Sequence, residues 1–298
     1  MTTIEVAIFS FNRGQYLRNC IESIERNMPT AVYHVFDDGS DDPATCAYLQ
    51  TLGPKVTRNQ EKIAGRHGGF YRNMQAALDQ ATSDYLLLLQ EDMQIVRQMT
   101  SEDILEIGRV FKHFKRAAFV SPVFLKGRKR EFFDHNYSPE TDVPAYIWRD
   151  SSDNLVPACY TDVAIISPTR LRATGWNFQQ SELENGIMAK QKFGLMPQLS
   201  NPFCFYLTDE PAYRGKVLTI GAKLAFRLAG NTIKNYLDMS PDAARLFVNR
   251  STSIRPYAED FIETVDPTVP KPYKFNGYRN SWLTLLLNKI ELLTRRFL

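Results

Sequence analysis

Two short acidic clusters follow two apolar runs. Asp37-Asp38-Gly39-Ser40 comes directly after Ala31 to Phe36, and Gln90-Glu91-Asp92 after Tyr85 to Leu89. In an open parallel sheet, ligands bind beyond the carboxyl ends of the strands, so acids placed there on separate strands can face one ligand. One carboxylate then suits a polar ligand head, and the other a metal ion bound to phosphate.

The elements that must present these acids are punctuated in the sequence. Ile4 to Ser10 predicts a buried strand, and Leu17, Ile21 and Ile24 form a helical stripe that ends before Pro29. After the second strand, Asp42-Pro43 supplies an N-cap with proline at the first helical position, and Gly53-Pro54 closes that helix. A short strand near Lys55 to Thr57 leads through Gly65-Arg66-His67-Gly68-Gly69 into a helix with Phe70, Met74, Ala77, Leu78 and Ala81 inward. Tyr85 to Leu89 reads as a central strand, Thr100 to Lys115 as a capped helix, and Ala117 to Phe124 as a further strand. The repeated alternation predicts an α/β fold with a largely parallel sheet. Ala158 to Ser167 and the segment from Glu184 to Gly194 extend the same domain past an irregular stretch that opens with the basic run Lys126 to Arg130.

Composition is that of an ordinary globular chain: 298 residues with 44% hydrophobic content. A formal charge of +3 and a pI near 8.6 are too mild to call for a nucleic-acid partner. Cys20, Cys46, Cys159 and Cys204 lack paired metal-ligand spacing, and no secretory signal precedes the first strand. Free thiols and a cytoplasmic protein are expected. The longest apolar runs fall far short of the roughly 20 residues needed to span a membrane.

Taken in order, Phe9-Ser10-Phe11-Asn12-Arg13, Asp37-Asp38-Gly39-Ser40, Arg72-Asn73 at the start of a helix and Gln90-Glu91-Asp92 resemble the family 2 glycosyltransferases of the GT-A fold. The resemblance is specific to about residue 95 and looser to about 215. It implies a GT-A domain over 1–215, with a nucleotide-binding half (1–95) and an acceptor-side half (96–215), followed by a helical C-terminal extension (216–298). It also implies inverting transfer from a nucleotide diphosphate sugar to a glycan, glycolipid or protein hydroxyl, assisted by Mg²⁺ or Mn²⁺. On this reading Asp37 and Asp38 meet the nucleobase and ribose, and Phe9 to Arg13 flank the base. Arg66, Arg72, Asn73 and Glu91 lie on the nucleotide side, and Asp92 is the metal ligand. Gln90 departs from the pattern by replacing the first acid of the DXD-like site. The family's Glu-Asp base pair is replaced by Ser181-Glu182-Leu183-Glu184-Asn185, which leaves Glu182 and Glu184 as candidate bases. Tyr213-Arg214-Gly215-Lys216 is a further candidate diphosphate clamp.

Two rival classes follow from the same residues. A sugar-nucleotide pyrophosphorylase would carry a glycine-rich basic loop after the first strand, which Phe11-Asn12-Arg13-Gly14-Gln15 does not resemble. A non-catalytic nucleotide-sugar or carbohydrate-binding protein fits Gln90 and the missing Glu-Asp pair. The last segment, Trp282 to Leu298, places Leu283, Leu286, Leu287, Ile290, Leu293 and Phe297 along one helical face, suited to core packing, a dimer contact or an anionic membrane surface.

Overall fold

The computed structural model describes residues 3–59, 69–149, 155–208, 213–214, 217–228, 230, 232–275 and 281–294. Three βα units open the chain: β1 (Ile4–Ser10), α1 (Gly14–Asn27), β2 (Val32–Asp37), α2 (Pro43–Thr51), β3 (Val56–Arg58) and α3 (Phe70–Gln80). Next come β4 (Tyr85–Gln90), β5 (Met93–Ile95), α4 (Ser101–His113), β6 (Phe119–Val120), α5 (Arg130–Asn136), β7 (Tyr137–Pro139), β8 (Ala145–Trp148) and the short turn α6 (Leu155–Ala158). They are followed by β9 (Ala164–Ile166), α7 (Pro168–Ala173), α8 (Glu182–Lys192), β10 (Gln198–Leu199), β11 (Cys204–Tyr206), α9 (Ile220–Leu228), α10 (Pro241–Val248), α11 (Ala258–Phe261) and α12 (Trp282–Thr294).

The main sheet has the order β3-β2-β1-β4-β9-β6. The first four strands are mutually parallel, whereas β9 runs antiparallel to both β4 and β6. Both faces of the sheet are covered. Val6 and Ile8 of β1 pack with Leu17, Ile21 and Ile24 of α1, while Ala7 and Phe9 pack with Met74, Ala77 and Leu78 of α3. Two-sided burial explains why β1 and β4 read as continuous apolar runs. Leu17 is fully buried in this layer, so truncation to alanine should cost about 2–5 kcal/mol.

Helix starts follow their capping chemistry. Asp42 accepts from Thr45 N at 2.8 Å, with Pro43 next to it. Thr100 and Asp103 form a reciprocal capping box at α4. Two expected strands are shorter than predicted. Pro122 offers no N–H to a ladder, so Ala117 to Phe124 keeps only β6 and continues as isolated bridges, Ser121 to Gln198 and Val123 to Cys204. Of Ala158 to Ser167 only Ala164–Ile166 is strand, and this strand is antiparallel.

The hydrophobic core continues past residue 215. Tyr236, Phe247, Ile262 and Tyr273 belong to the same cluster as Ile8, Leu87 and Phe205. Buried Gln94 on β5 fixes this region through both amide atoms, accepting from Tyr236 N at 3.0 Å and donating to Tyr236 O at 2.8 Å. All four cysteines are free thiols. No helix among the described residues is long and apolar enough to cross a membrane.

Candidate active site

The turns after β1 and β2 are built as one unit. Asn12 takes a left-handed conformation (φ 54°), which aims its amide at the neighbouring turn. Its Oδ1 accepts from Asp41 N and Asp42 N at 2.8 and 2.9 Å, its Nδ2 donates to Asp41, and its N–H donates to Ser40 Oγ. Gly14 N donates to Thr45 Oγ1 at 2.9 Å, and a Cβ at Gly14 would lie 2.9 Å from Thr45 Cα, so only glycine permits this approach.

Asp37 and Asp38 diverge within this unit. Both oxygens of Asp37 are engaged inside its own turn, by Gly39 N, Ser40 N and Ser40 Oγ, with Arg58 3.5 Å away. Fully buried, Asp37 shapes the turn. Asp38 accepts from Gly69 N at 2.9 and 3.0 Å, which ties the turn to the start of α3. Asn73, in the first turn of α3, is buried, and its Oδ1 accepts from Asn59.

The β1 end is likewise split. The Phe9 ring is buried among Phe36 and Phe70, at centroid distances of 6.0 and 5.4 Å, so its side chain serves the core and only its backbone reaches the strand end. Ser10 is buried, and Phe11 is half-buried. Arg72 is exposed on the first turn of α3. Arg66, Gly215 and Lys216 lie outside the described residues.

Arg13 leaves the first turn to bridge the second acidic cluster. Its Nε lies 2.7 Å from Glu91 Oε1 and its Nη1 3.3 Å from Asp92 Oδ2. Both carboxylates are buried. Burial pushes the Glu91 carboxyl up and Arg13 opposes that push, with the Asp92 charge adding to it. Oxygens of two neighbouring carboxylates converge on one cation, and hard oxygen donors of this kind suit Mg²⁺ or Mn²⁺. The guanidinium is the stand-in cation there, so Asp92, with Glu91 beside it, fits the ligand role that the sequence pattern implies.

Asp162, which the sequence did not single out, forms a second acid pair with Glu182. A cleft of about 360 Å³ opens beside the end of β4, and its lining includes Gln90, Lys126, Thr161, Asp162, Glu182 and Tyr206. Asp162 N donates to Glu182 Oε1 at 3.4 Å, and Tyr71 donates its hydroxyl to Asp162 Oδ2 at 3.3 Å. Asp162 Oδ1 is buried with no hydrogen-bond partner among the described residues. Burial, followed by the nearby Glu182 charge, pushes the Asp162 carboxyl up to about 8. Burial pushes Glu182 up as well, opposed by the Asp162 N–H and by Lys126. Lys126 Nζ lies 4.2 Å from the Tyr206 ring centroid.

The candidate bases therefore separate. Glu182 opens α8 and lines the cleft, whereas Glu184 is exposed and is bound back to the cap residue Ser181, accepting from its hydroxyl at 2.9 Å. Asp162 reaches Glu182 because β9 is antiparallel. Leu88 pairs with Ala164, and extending that register by two residues sets Asp162 opposite Gln90. The available sequence signal was a lone acid directly before the apolar run Val163 to Ile166.

This strand order, with acids at the ends of β2 and β4 and an acid pair in the adjoining cleft, defines a GT-A fold, the architecture of nucleotide-sugar transferases. The model described as glycosyl transferase family 2 matches residues 5–130. No curated protein sequence matches the chain. Among solved structures, a TarS fragment from S. aureus is 14% identical with a TM-score of 0.47, covering 69% of this chain and 60% of its own. GalNAc-T7 with UDP, GalNAc and Mn²⁺ is 12% identical at a TM-score of 0.48, covering 71% and 43%. The mannosyltransferase PcManGT from Pyrobaculum calidifontis, in complex with GDP-Man and Mn²⁺, is 15% identical at 0.42, covering 68% and 56%. The chain thus spans less than two thirds of each. At these identities and scores they are likenesses of outline only, and their ligands remain theirs.

Proposed function

We propose that this glycosyltransferase moves one sugar from a nucleotide diphosphate sugar to a hydroxyl of a glycan, glycolipid or protein, with inversion, using Glu182 as the base. The observation that carries this reading is the Asp162–Glu182 pair, which lines the cleft with Gln90, directly before Glu91 and Asp92. Inversion calls for a carboxylate on the acceptor side that takes the hydroxyl proton during in-line attack. Glu182 has one oxygen near the Asp162 N–H, and its raised proton affinity suits a base working near neutral pH. Asp162 positions Glu182 from the strand side. Lys126, next to Tyr206, supplies positive charge at the cleft wall. On the donor side, the Asn12 and Asp38 turns hold the nucleotide, with Arg72 and Asn73 at the start of α3. A Mg²⁺ or Mn²⁺ ion held by Asp92 and Glu91, when bound, neutralises the charge that develops on the leaving diphosphate.

Purified protein incubated with UDP-, GDP- and dTDP-sugars and Mn²⁺ tests the reading. Donor turnover with at least one sugar is expected, and it should disappear in Asp92→Ala. Binding without turnover across the panel, seen by calorimetry, would assign the protein to the non-catalytic class instead.

A further inference from the structure

Helices α9 and α12 pack against each other through the wrong residues for water. Their contact is made of small and polar groups: a Cβ at Gly221 would lie 2.6 Å from Thr284 O, and Thr219 donates to buried Asn288 Oδ1 at 2.7 Å. The large apolar residues face outward. On α12, Leu283, Leu286, Ile290 and Leu293 recur at intervals of three and four residues, forming one stripe that is 45–54% exposed, and Trp282 at its head is 77% exposed. On α9, Ile220 and Leu228 are 62% and 72% exposed.

Small residues between helices and leucines around them are the arrangement that helices adopt against lipid. At 13 residues α12 is about 20 Å long, too short to span a bilayer but suited to lying in its interface. Charge selects the occupant. The exposed charged side chains on the described parts of the two helices are Lys223, Arg227 and Lys289. The one acid, Glu291, is half-buried and accepts from Ile220 N at 2.6 Å. A second copy meeting this face across a two-fold axis would bring like charges together, because such an interface presents the same patch from both sides. Anionic headgroups complement it.

We propose that the α9–α12 face docks on an anionic membrane surface, with the stripe lying in the headgroup boundary. The opposite side of α9 carries Phe226 into a hollow shared with Arg13, Tyr16 and Tyr48. Docking would therefore hold the donor-side turn about one helix diameter, ~10 Å, above the lipid. This inference rests on the surface alone and does not depend on the transferase reading.

Flotation of the full chain with phosphatidylcholine vesicles, with and without phosphatidylglycerol, tests it. Trp148 and Trp176 are buried, so Trp282 is the exposed tryptophan whose emission should shift to the blue on docking. Binding should require phosphatidylglycerol and weaken with salt. The exposed double variant Leu286→Ser/Ile290→Ser should bind about tenfold less or weaker still, with an unchanged Tm. Lys223→Glu/Lys289→Glu should lose the preference for anionic vesicles. A chain that stays monomeric in sedimentation and floats with neither vesicle would overturn the proposal. So would a dimer that Leu286→Ser/Ile290→Ser dissociates, since the face would then belong to a second copy.

Discussion

Two pairs of carboxylates, one buried and one half-buried, stand on either side of the β4 end, and they have different partners. Glu91 and Asp92 share the Arg13 guanidinium. Asp162 and Glu182 meet with an N–H, a tyrosine hydroxyl and a more distant lysine, and no guanidinium among the described residues bridges them. The first pair is bridged by a cation and the second is not, although burial raises the Glu91 carboxyl as it does those of Asp162 and Glu182.

The largest effect should come from removing the proposed base. Glu182→Gln is expected to lower the transfer rate by about 10²- to 10⁴-fold, with donor affinity in calorimetry near wild type. Glu184→Gln, which alters a surface cap, should leave the rate within about threefold of wild type. Equal losses in both variants would break the separation of the two acids.

Arg13→Met is expected to leave two buried carboxylates without their bridge and to cost about 3–5 kcal/mol at neutral pH. Thermal unfolding measures it. The deficit should shrink as pH falls, because protonation removes the uncompensated charge. An unchanged Tm at neutral pH would show that the bridge contributes nothing.

Asp162→Asn probes the second pair through pH. The folded chain keeps the Asp162 proton up to about 8 against an ordinary value of 3.8. Between those values the unfolded chain has already lost the proton. The contribution of this group to stability is therefore fullest below about pH 4 and drains away as pH rises toward about 8. The Tm of Asp162→Asn relative to wild type should climb over that window, and a flat difference would count against the burial of this acid.

The smallest effect belongs to a site apart from either pair. Thr100→Ala removes half of a capping box and should cost about 1 kcal/mol with no change in the pH profile of transfer. A changed profile would mean that α4 communicates with the acids.

The donor-side turns were legible because each is local: an apolar run, then turn chemistry, then a cap. Direction within them was not. Sheet burial on both faces removes the alternation that would have turned Phe9 inward on paper, and Asp37 looks the same in sequence whether it meets a ligand or its own turn. The Arg13 bridge joins residues far apart in the chain, a link that no local pattern encodes. Glu182 and Glu184 lie two positions apart on a helix start, and only the orientation of α8 decides which enters the cleft. Asp162 was hidden by a long-range fact, the reversal of one strand.

That reversal has a consequence for how the site tolerates change. Because β9 enters the sheet where its neighbour leaves it, the acid opposite Gln90 is set by a count of residues from Ala164. Adding or removing one residue there would turn Asp162 toward the other face of the sheet while leaving every side-chain identity intact. The spacing between strand and acid is thus under tighter constraint than the composition of the strand. Substitution scanning would miss it, and single-residue insertions through 162–164 would find it.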